Sequence, residues 1–536
     1  MATATNASIS PEIGEIPPIT ANTTEFRRRI GSISRQSAVY FAGTVLTAAT
    51  GYFFKIYVAR ALGAEKLGLY ALGMTLVGFL GLFSTVGLPT AAARFVASYS
   101  AQRDFVRLGG FLRGGLALLT IGNLGLAAAA LLVGPWLAVH FYHAPALTPY
   151  LWLFALIMVL GALTTFLGQV MAGYQDVTRR TLITHFVGSP GNIVVAVLLI
   201  SLGFGFGGYM AAQVISAFVV LVLLAVSVWR MTPVLARVAP SLPSLRRVEG
   251  DVINFSAAAF GISALEFMLG QADKIVLGRY LDLKQVGIYA VAMALVGFVP
   301  IALQSVNQIF SPTIAELHAS GNWDLLQQLY STLTKWILIL TIPLSLTLVI
   351  FSRSLLGICG TSFEAGAVVL AVGTVGQLFN CAVGSVGYML LMSGNQVRVV
   401  KIQAVSAILM IASSVLLIPR LGIIGAAISA AATVVIANVW LLATVYRTLR
   451  IFPYRADYFK LVLPTFLSAG VLLLLARTPI GVHSRLSMAA LAFICAYVSF
   501  LGTILISGLQ GHDRLAAKIV WTKLRRNFGG SGVSDE

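Results

Sequence analysis

The chain has 536 residues, of which 58% are hydrophobic and 10% charged, and its mean hydropathy is +0.90. Soluble domains carry about 25% charged residues, so this composition excludes a soluble globular protein and predicts an all-α polytopic membrane protein. The net charge of +18 does not indicate nucleic-acid binding, because no basic patch is interleaved with aromatic residues. It fits basic loops that obey the positive-inside rule.

Fourteen transmembrane helices are predicted, each an apolar run of about 20 residues, the length that crosses a bilayer as a helix. Residues 1–36 precede them as a cytoplasmic N-terminal tail without a signal peptide. The GSPG motif at residues 188–191, Pro300 and Pro343 predict kinks in spans 5, 8 and 9. The predicted spans cover residues 37–60, 67–90, 108–133, 148–172, 181–202, 207–229, 252–277, 284–309, 327–350, 363–392, 399–418, 422–446, 457–476 and 488–508.

The distribution of lysine and arginine predicts the topology. With the N-terminus in the cytoplasm, the inner segments hold 26 of these residues and the outer segments hold ten. Six of the ten lie in two copies of an internal repeat, and without the repeat the ratio is 26 to 4. We therefore expect both termini in the cytoplasm and a multi-pass protein of the plasma (inner) membrane.

The internal repeat is 25 residues long. Residues 55–79 (KIYVARALGAEKLGLYALGMTLVGF) and 274–298 (KIVLGRYLDLKQVGIYAVAMALVGF) align without a gap at an offset of 219 residues, and 12 of 25 positions are identical. Such a duplication predicts two pseudo-symmetric six-helix lobes that face each other across a substrate path. Identical matched pairs include Lys55 and Lys274, Arg60 and Arg279, Gly68 and Gly287, and Tyr70 and Tyr289.

The duplication divides the chain into predicted domains. The first lobe covers residues 37–229 (spans 1–6) and the second lobe covers residues 252–446 (spans 7–12), joined by a cytoplasmic linker at residues 230–251. Two C-terminal helices follow at residues 457–508. The cytoplasmic tail at residues 509–536 predicts an amphipathic helix on the inner leaflet, with a loosely ordered basic tail as the alternative.

Span 7 carries polar residues where lipid-facing helices avoid them. Glu266 is the only acidic residue deep in a predicted span, and a charge there is costly unless it faces a cavity or a partner. Asp273 follows two helical turns later on the same face, with Gln271 and Lys274 nearby. We interpret these residues as a polar stripe that lines a central cavity, with a structural ion pair that fixes helix packing as the alternative. The matching positions of the first lobe carry no acid.

Four cations of the repeat form a pseudo-symmetric set near the ends of spans 1 and 7. Cations beside a cavity would attract phosphate, and ordinary snorkelling at a helix end is the alternative. The substrate-path candidates are Lys55, Arg60, Glu266, Gln271, Asp273, Lys274 and Arg279.

The sequence shows no catalytic or cofactor-binding constellation. The longest outer loop, residues 134–147, contains His140 and His143 but no carboxylate, and a histidine pair without a third ligand is weak evidence for a metal. There is no Walker loop and no nucleophile elbow. We therefore expect neither enzymatic activity nor a cofactor, and coupling to a proton or sodium gradient stays open.

Segments of both lobes resemble the polysaccharide-biosynthesis flippases, which transport O-antigen and exopolysaccharide repeat units. They are ARALGAEKLGLYAL and GLPTAAARFVA within residues 59–97, and ADKIVLGRYLDLKQVGIYAVA at residues 272–292. This family belongs to the multidrug/oligosaccharidyl-lipid/polysaccharide exporter (MOP) superfamily, and the resemblance covers about residues 25–510. It implies two lobes in a V around a cavity lined by spans 1, 2, 7 and 8. Position by position, it assigns the acid before the IVLG motif to Asp273 and the first-lobe arginine to Arg60.

The resemblance also implies a function. We expect alternating-access transport of undecaprenyl-phosphate-linked oligosaccharide from the inner to the outer leaflet. The expected partners are this lipid-linked oligosaccharide, membrane lipids, and a polymerase and glycosyltransferases of the same pathway. Spans 13 and 14 resemble the pair that accompanies lipid-tail binding in lipid II flippases. Two alternatives stay open: a lipid II-type flippase of cell-wall synthesis, and a multidrug/cation antiporter, which typically has twelve spans and a buried acid in the first lobe.

Overall fold

A computed structural model describes residues 19–85, 87–174, 176–232, 250–454, 456–477 and 485–506. Within these ranges the chain is helical and forms no β-strand. The start of the predicted N-terminal tail, most of the predicted linker and the whole predicted amphipathic tail helix lie outside the described residues.

The apolar runs of the sequence lie in helices, but the helices Ile19–Thr85 and Gln396–Leu449 each join two predicted spans, and the first of them begins within the predicted N-terminal tail. Short π-helical turns lie at Leu137–Phe141, Leu182–Gly188 and Ile200–Phe204, and 3-10 turns at Pro145–Tyr150, Thr361–Gly366 and Ala456–Leu461. The α-helices are α1 (Ile19–Thr85), α2 (Leu88–Ala101), α3 (Phe105–Trp136), α4 (Leu151–Gly173), α5 (Val177–Thr181), α6 (Ser189–Leu199), α7 (Gly205–Met231), α8 (Gly250–Tyr280), α9 (Leu283–Val296), α10 (Ile301–Ala319), α11 (Trp323–Ile350), α12 (Ser352–Cys359), α13 (Ala367–Val383), α14 (Val386–Met392), α15 (Gln396–Leu449), α16 (Val462–Arg477) and α17 (Arg485–Ile506).

Glycines break the helical backbone at boundaries between predicted spans. α1 is non-helical at Gly63 (φ 76°), α15 is non-helical at Gly422 (φ 60°), and the turn before α7 contains Gly203 (φ 92°). A positive φ is readily adopted only by glycine. Gly203 and Gly422 are 219 residues apart, the offset of the repeat, so the duplication extends beyond the 25-residue segment.

The multi-pass membrane architecture is confirmed. Among the described residues, nine helices are long and apolar enough to cross a membrane, or ten if one bent pair forms a single span. That pair, Leu283–Val296 with Ile301–Asn307, bends by 50° at the segment that ends in Pro300, which confirms a kink in span 8. α11 continues through Pro343. The count of fourteen spans and the domain boundaries stay predictions.

The two lobes meet where α1 packs along α8 and α9. A Cβ atom on Gly68 would lie 1.7 Å from the carbonyl oxygen of Leu283. One on Gly287 would lie 1.9 Å from the carbonyl oxygen of Ala64. In the repeat, Gly68 matches Gly287 and Ala64 matches Leu283, so the two contacts are pseudo-symmetric equivalents of each other. The duplicated glycine is therefore explained by a backbone-to-backbone approach that any larger residue would prevent.

The C-terminal pair of helices docks on the second lobe. The Tyr497 hydroxyl on α17 donates to the Leu340 carbonyl on α11 at 2.7 Å. At the start of α17, a guanidinium nitrogen of Arg485 donates to Glu364 Oε1 at 2.6 Å. The two hydrogen bonds anchor α17 to the second lobe at its start and near its middle.

Candidate functional site

Two lysines of the repeat come together where the lobes meet. Lys55 on α1 is exposed and Lys274 on α8 is half-buried, and the two helices pack against each other, so each ammonium group lies within the electrostatic reach of the other. The Lys274 ammonium donates to Gln271 Oε1 at 2.7 Å. Lys55 has no hydrogen bond or ion pair with any residue that the structure describes. Two neighbouring like charges without a carboxylate partner repel each other, and a bound anion near them would relieve that repulsion.

Asp273 lies in the packed interior of the second lobe, with only 4% of its surface exposed. The hydroxyl of the fully buried Tyr289 on α9 donates to Oδ2, and the backbone N–H of Lys274 donates to Oδ1 at 2.8 Å. Both carboxylate oxygens are therefore occupied within the second lobe. The Asp273 carboxylate therefore links α8 to α9 through the Tyr289 hydroxyl. A role of Asp273 in the substrate path stays a prediction.

The equivalent place in the first lobe carries no acid. Phe54 matches Asp273, and it packs against Tyr209 with ring centres 6.2 Å apart. Tyr70, which matches Tyr289, packs against the same Tyr209 at 5.1 Å. The two lobes thus share their backbone repeat but differ chemically at this layer. The sequence did not lead us to predict Tyr289 as the partner of Asp273, although the presence of tyrosine at this position in both copies of the repeat was a usable signal.

Glu266 lies two turns before Asp273 on α8, and its side chain is exposed. Its neighbour Phe267 contacts the first lobe, where the Phe79 ring centre lies 6.1 Å away. No side chain in the described ranges forms a hydrogen bond or ion pair with Glu266. Because an exposed carboxylate in lipid is costly, we keep the prediction that Glu266 faces a wet central cavity.

The two arginines of the repeat reach into opposite lobes. Arg60 Nε, on α1 of the first lobe, donates to the carbonyl oxygen of Ile358 on α12 of the second lobe at 2.6 Å. Arg279, at the end of α8 in the second lobe, donates to Nδ1 of His143 in the first lobe at 3.3 Å. The Arg279 guanidinium also lies 5.9 Å from the ring centre of Phe141. The structure thus separates the predicted cations into a lysine pair and an arginine pair that bridges the lobes.

A pocket of about 520 Å³ lies beside Arg279, between α1, α8, α9 and the loop that follows α3. It carries both charge signs and two tyrosine rings, so it has no simple preference for an anion or a cation. Within the described part of the chain, no cluster of three or more metal-ligating side chains could hold a metal ion. The pocket is lined by Glu65, Tyr142, His143, Arg279, Tyr280, Leu281, Asp282, Leu283 and Lys284.

A comparison with protein-family models gives one decisive match. The model of the family described as polysaccharide biosynthesis protein matches residues 33–318, more than half of the chain and both copies of the repeat. The chain belongs to the polysaccharide biosynthesis protein family. Both bridging arginines and both lysines of the pair lie inside the matched region of this family member.

Solved structures share the fold of this polysaccharide biosynthesis protein. The lipid II flippase MurJ in an inward closed conformation has a TM-score of 0.69 and 14% identity, covering 86% of this chain and 98% of its own. An inward-facing multidrug resistance MATE transporter of the MOP superfamily has a TM-score of 0.60 and 16% identity, covering 74% and 94%. The Vibrio cholerae MATE transporter VcmN in its bent form has a TM-score of 0.52 and 16% identity, covering 78% and 98%. The search of curated proteins gives no match. The fold is therefore that of MOP-superfamily transporters.

Proposed function

We propose that this protein is a flippase that moves undecaprenyl-phosphate-linked oligosaccharide repeat units from the inner to the outer leaflet of the plasma membrane. Transport occurs by alternating access of the two lobes and leaves the substrate chemically unchanged. Family membership supports a step in polysaccharide biosynthesis, and the two-lobed fold supports transport. The observation that carries the proposal is the matched pair Lys55 and Lys274, which lie on the packed helices α1 and α8, one in each lobe, and form no ion pair with a carboxylate in the described residues.

The lysine pair suits the charged part of such a substrate. A lipid-linked sugar carries phosphate between its polyprenyl chain and its glycan, and lysine binds phosphate as a compact point charge. One lysine comes from each lobe, so a phosphate bound by both ammonium groups would contact both lobes at once. A ligand held in this way stabilises the state in which the lobes are together, which couples binding to the conformational cycle.

The C-terminal helices α16 and α17 extend the structure beyond the two lobes. Their outer faces are strongly apolar, with Phe466 72% exposed and Leu474 67% exposed. We assign this pair to the lipid-facing side, where a long polyprenyl tail stays in the bilayer while the glycan crosses between the lobes. The polymerase and the glycosyltransferases of the same pathway are the proposed functional partners, and both termini are proposed to lie in the cytoplasm.

Two other substrates define the alternatives. A lipid II-type flippase is favoured by the broader structural match to MurJ, which covers 86% of this chain against 74% for the inward-facing MATE transporter. A drug antiporter is disfavoured by the first lobe, where the matched position of Asp273 is Phe54. The three functions differ in the molecule that accumulates when the protein is removed.

Gene deletion distinguishes these functions. We expect complete lipid-linked repeat units to accumulate on the cytoplasmic leaflet and surface polysaccharide to be depleted. Incomplete repeat units would instead indicate an enzyme of the pathway. Arrest of peptidoglycan synthesis would indicate a lipid II flippase, and normal surface glycan with new drug sensitivity would indicate an antiporter.

Complementation of the deletion strain tests the lysine pair itself. Lys55→Gln and Lys274→Gln each remove one charge-assisted hydrogen bond to phosphate, an interaction of about 1.5–3 kcal/mol, so export should fall about tenfold or more. Lys66→Gln removes a cation of the same repeat beyond the break at Gly63 and serves as the matched control, with export retained. Normal export by both folded test variants would contradict phosphate binding at this pair.

A further inference from the structure

The bridging arginines occupy matched positions but bind unlike acceptors, and both acceptors belong to the facing lobe. Arg60 of the first lobe uses a backbone carbonyl at Ile358, 298 positions away in sequence. Arg279 of the second lobe uses the ring nitrogen of His143, 136 positions away. Each acceptor lies in the connection between the third and fourth spans of its lobe. The pair is therefore a crossed, pseudo-symmetric bridge.

We propose that Arg60 and Arg279 are gate residues that hold the two lobes closed at the end of the substrate path opposite the linker. This inference rests on the proposed transport function, and it assigns to the arginines a task different from phosphate binding by the lysines. Both hydrogen bonds join different lobes, so any separation of the lobes at this end breaks both together. Contacts that exist in one conformation and not in the other bias the equilibrium between the two.

The surroundings of the arginines support a gate. The matched glycines Gly68 and Gly287 bring the two backbones into contact in the segments that follow the arginines. Tyr142 is buried against Gly278, where a Cβ atom would lie 2.7 Å from its ring. Neither arginine forms an ion pair with a carboxylate in the described ranges. The closure therefore depends on tight backbone packing and a few charge-assisted hydrogen bonds, a combination that can open without separating a buried salt bridge.

The chain contains its own reporter for this gate. Cys359 follows Ile358 directly, is 4% exposed and lies close to Arg60 of the first lobe. Separation of the lobes at this end would remove that neighbour and should expose the thiol. Burial raises the pKa of the Cys359 thiol to about 11, while the nearby positive charge of Arg60 acts in the opposite direction. Since the thiolate is the reactive species, alkylation should be slow while the gate is closed.

The test measures the alkylation rate of Cys359 by a maleimide in a chain that carries Cys381→Ser and Cys495→Ser. Arg60→Ala and Arg279→Ala should each increase the rate about tenfold or more, because each shifts the gate toward the open state. Arg353→Ala is the matched control. Arg353 lies on the same connection as Cys359, but it pairs with Glu364 inside the second lobe, so the rate should not change.

The sign of the effect separates the gate from a local charge effect. Loss of the Arg60 charge alone would raise the thiol pKa and slow the reaction, so faster alkylation requires exposure. An unchanged or slower rate in both variants overturns the proposal, as does an increase confined to Arg60→Ala. Arg60→Lys and Arg279→Lys, checked by gel filtration, replace any alanine variant that fails to fold. The alkylation reaction needs no substrate, so its result can be interpreted even if the flippase assignment fails. Failure of the gate proposal would likewise leave the flippase assignment to be judged by the deletion and export experiments.

Discussion

Gly287→Ala should force the two lobes apart. The new Cβ atom would lie 1.9 Å from the Ala64 carbonyl oxygen and 2.8 Å from the Gly68 backbone nitrogen. Both neighbours are backbone atoms and cannot rotate away, so reaching a contact of 3.0 Å requires a separation of about 1.1 Å. Overpacking of this kind costs about 1–3 kcal/mol. Alanine also favours the helix by about 1 kcal/mol over glycine, but this gain is the same in both conformations and cancels.

The predicted consequence is a shift of about 5- to 150-fold toward the open state, the range that 1–3 kcal/mol of coupling produces. Spin labels at Lys66 and Lys284, on opposite sides of the contact, should show a longer-distance population in Gly287→Ala. Gly122→Ala is the matched control, because a Cβ atom there meets no atom within 4 Å. Identical distance distributions in Gly287→Ala and the parent would refute the claim that this glycine contact controls closure.

Three further predictions concern topology, the exposed acid and the buried hydrogen bond. A cysteine at Ser100 should resist an impermeant thiol reagent in intact cells and one at His143 should react, whereas the reverse pattern would contradict the topology. Glu266→Gln should reduce export more than it reduces protein abundance. Unimpaired export would indicate that the side chain has only a structural role. Tyr289→Phe should lower the free energy of unfolding by about 1.5–3 kcal/mol because the buried Asp273 loses a donor, and Asp273→Asn in the same chain should reduce that loss in a denaturation series.

The repeat made the general architecture predictable. An ungapped match that includes Gly68 and Gly287 required two related lobes, and positive φ angles at Gly203 and Gly422 follow the same offset. Pro300 marked the bend in span 8 because proline removes a backbone donor. These features depend on local backbone chemistry, which a single sequence records directly.

The division of the four cations could not be predicted. Lys55 and Arg60 are five residues apart and look equivalent in sequence, yet only the arginine forms a hydrogen bond with a described residue of the facing lobe. Its acceptor is the backbone carbonyl of Ile358, and any residue type would supply the same oxygen. His143 was considered only as a metal ligand, because nothing in its local sequence indicates a contact with Arg279. Long-range contacts to backbone atoms leave no residue-type signal.

The most direct test of the central claim is reconstitution of the purified protein in liposomes that contain an undecaprenyl-diphosphate-linked oligosaccharide in both leaflets. An impermeant glycosidase added outside digests only the outward-facing glycans. We predict that the protein makes the inward-facing half accessible, that recovered lipid is chemically unaltered, and that Lys55→Gln with Lys274→Gln abolishes the effect. The account would be contradicted if digestion stopped at the outward-facing half, as in protein-free liposomes. It would also be contradicted if the lipid were converted to a new product.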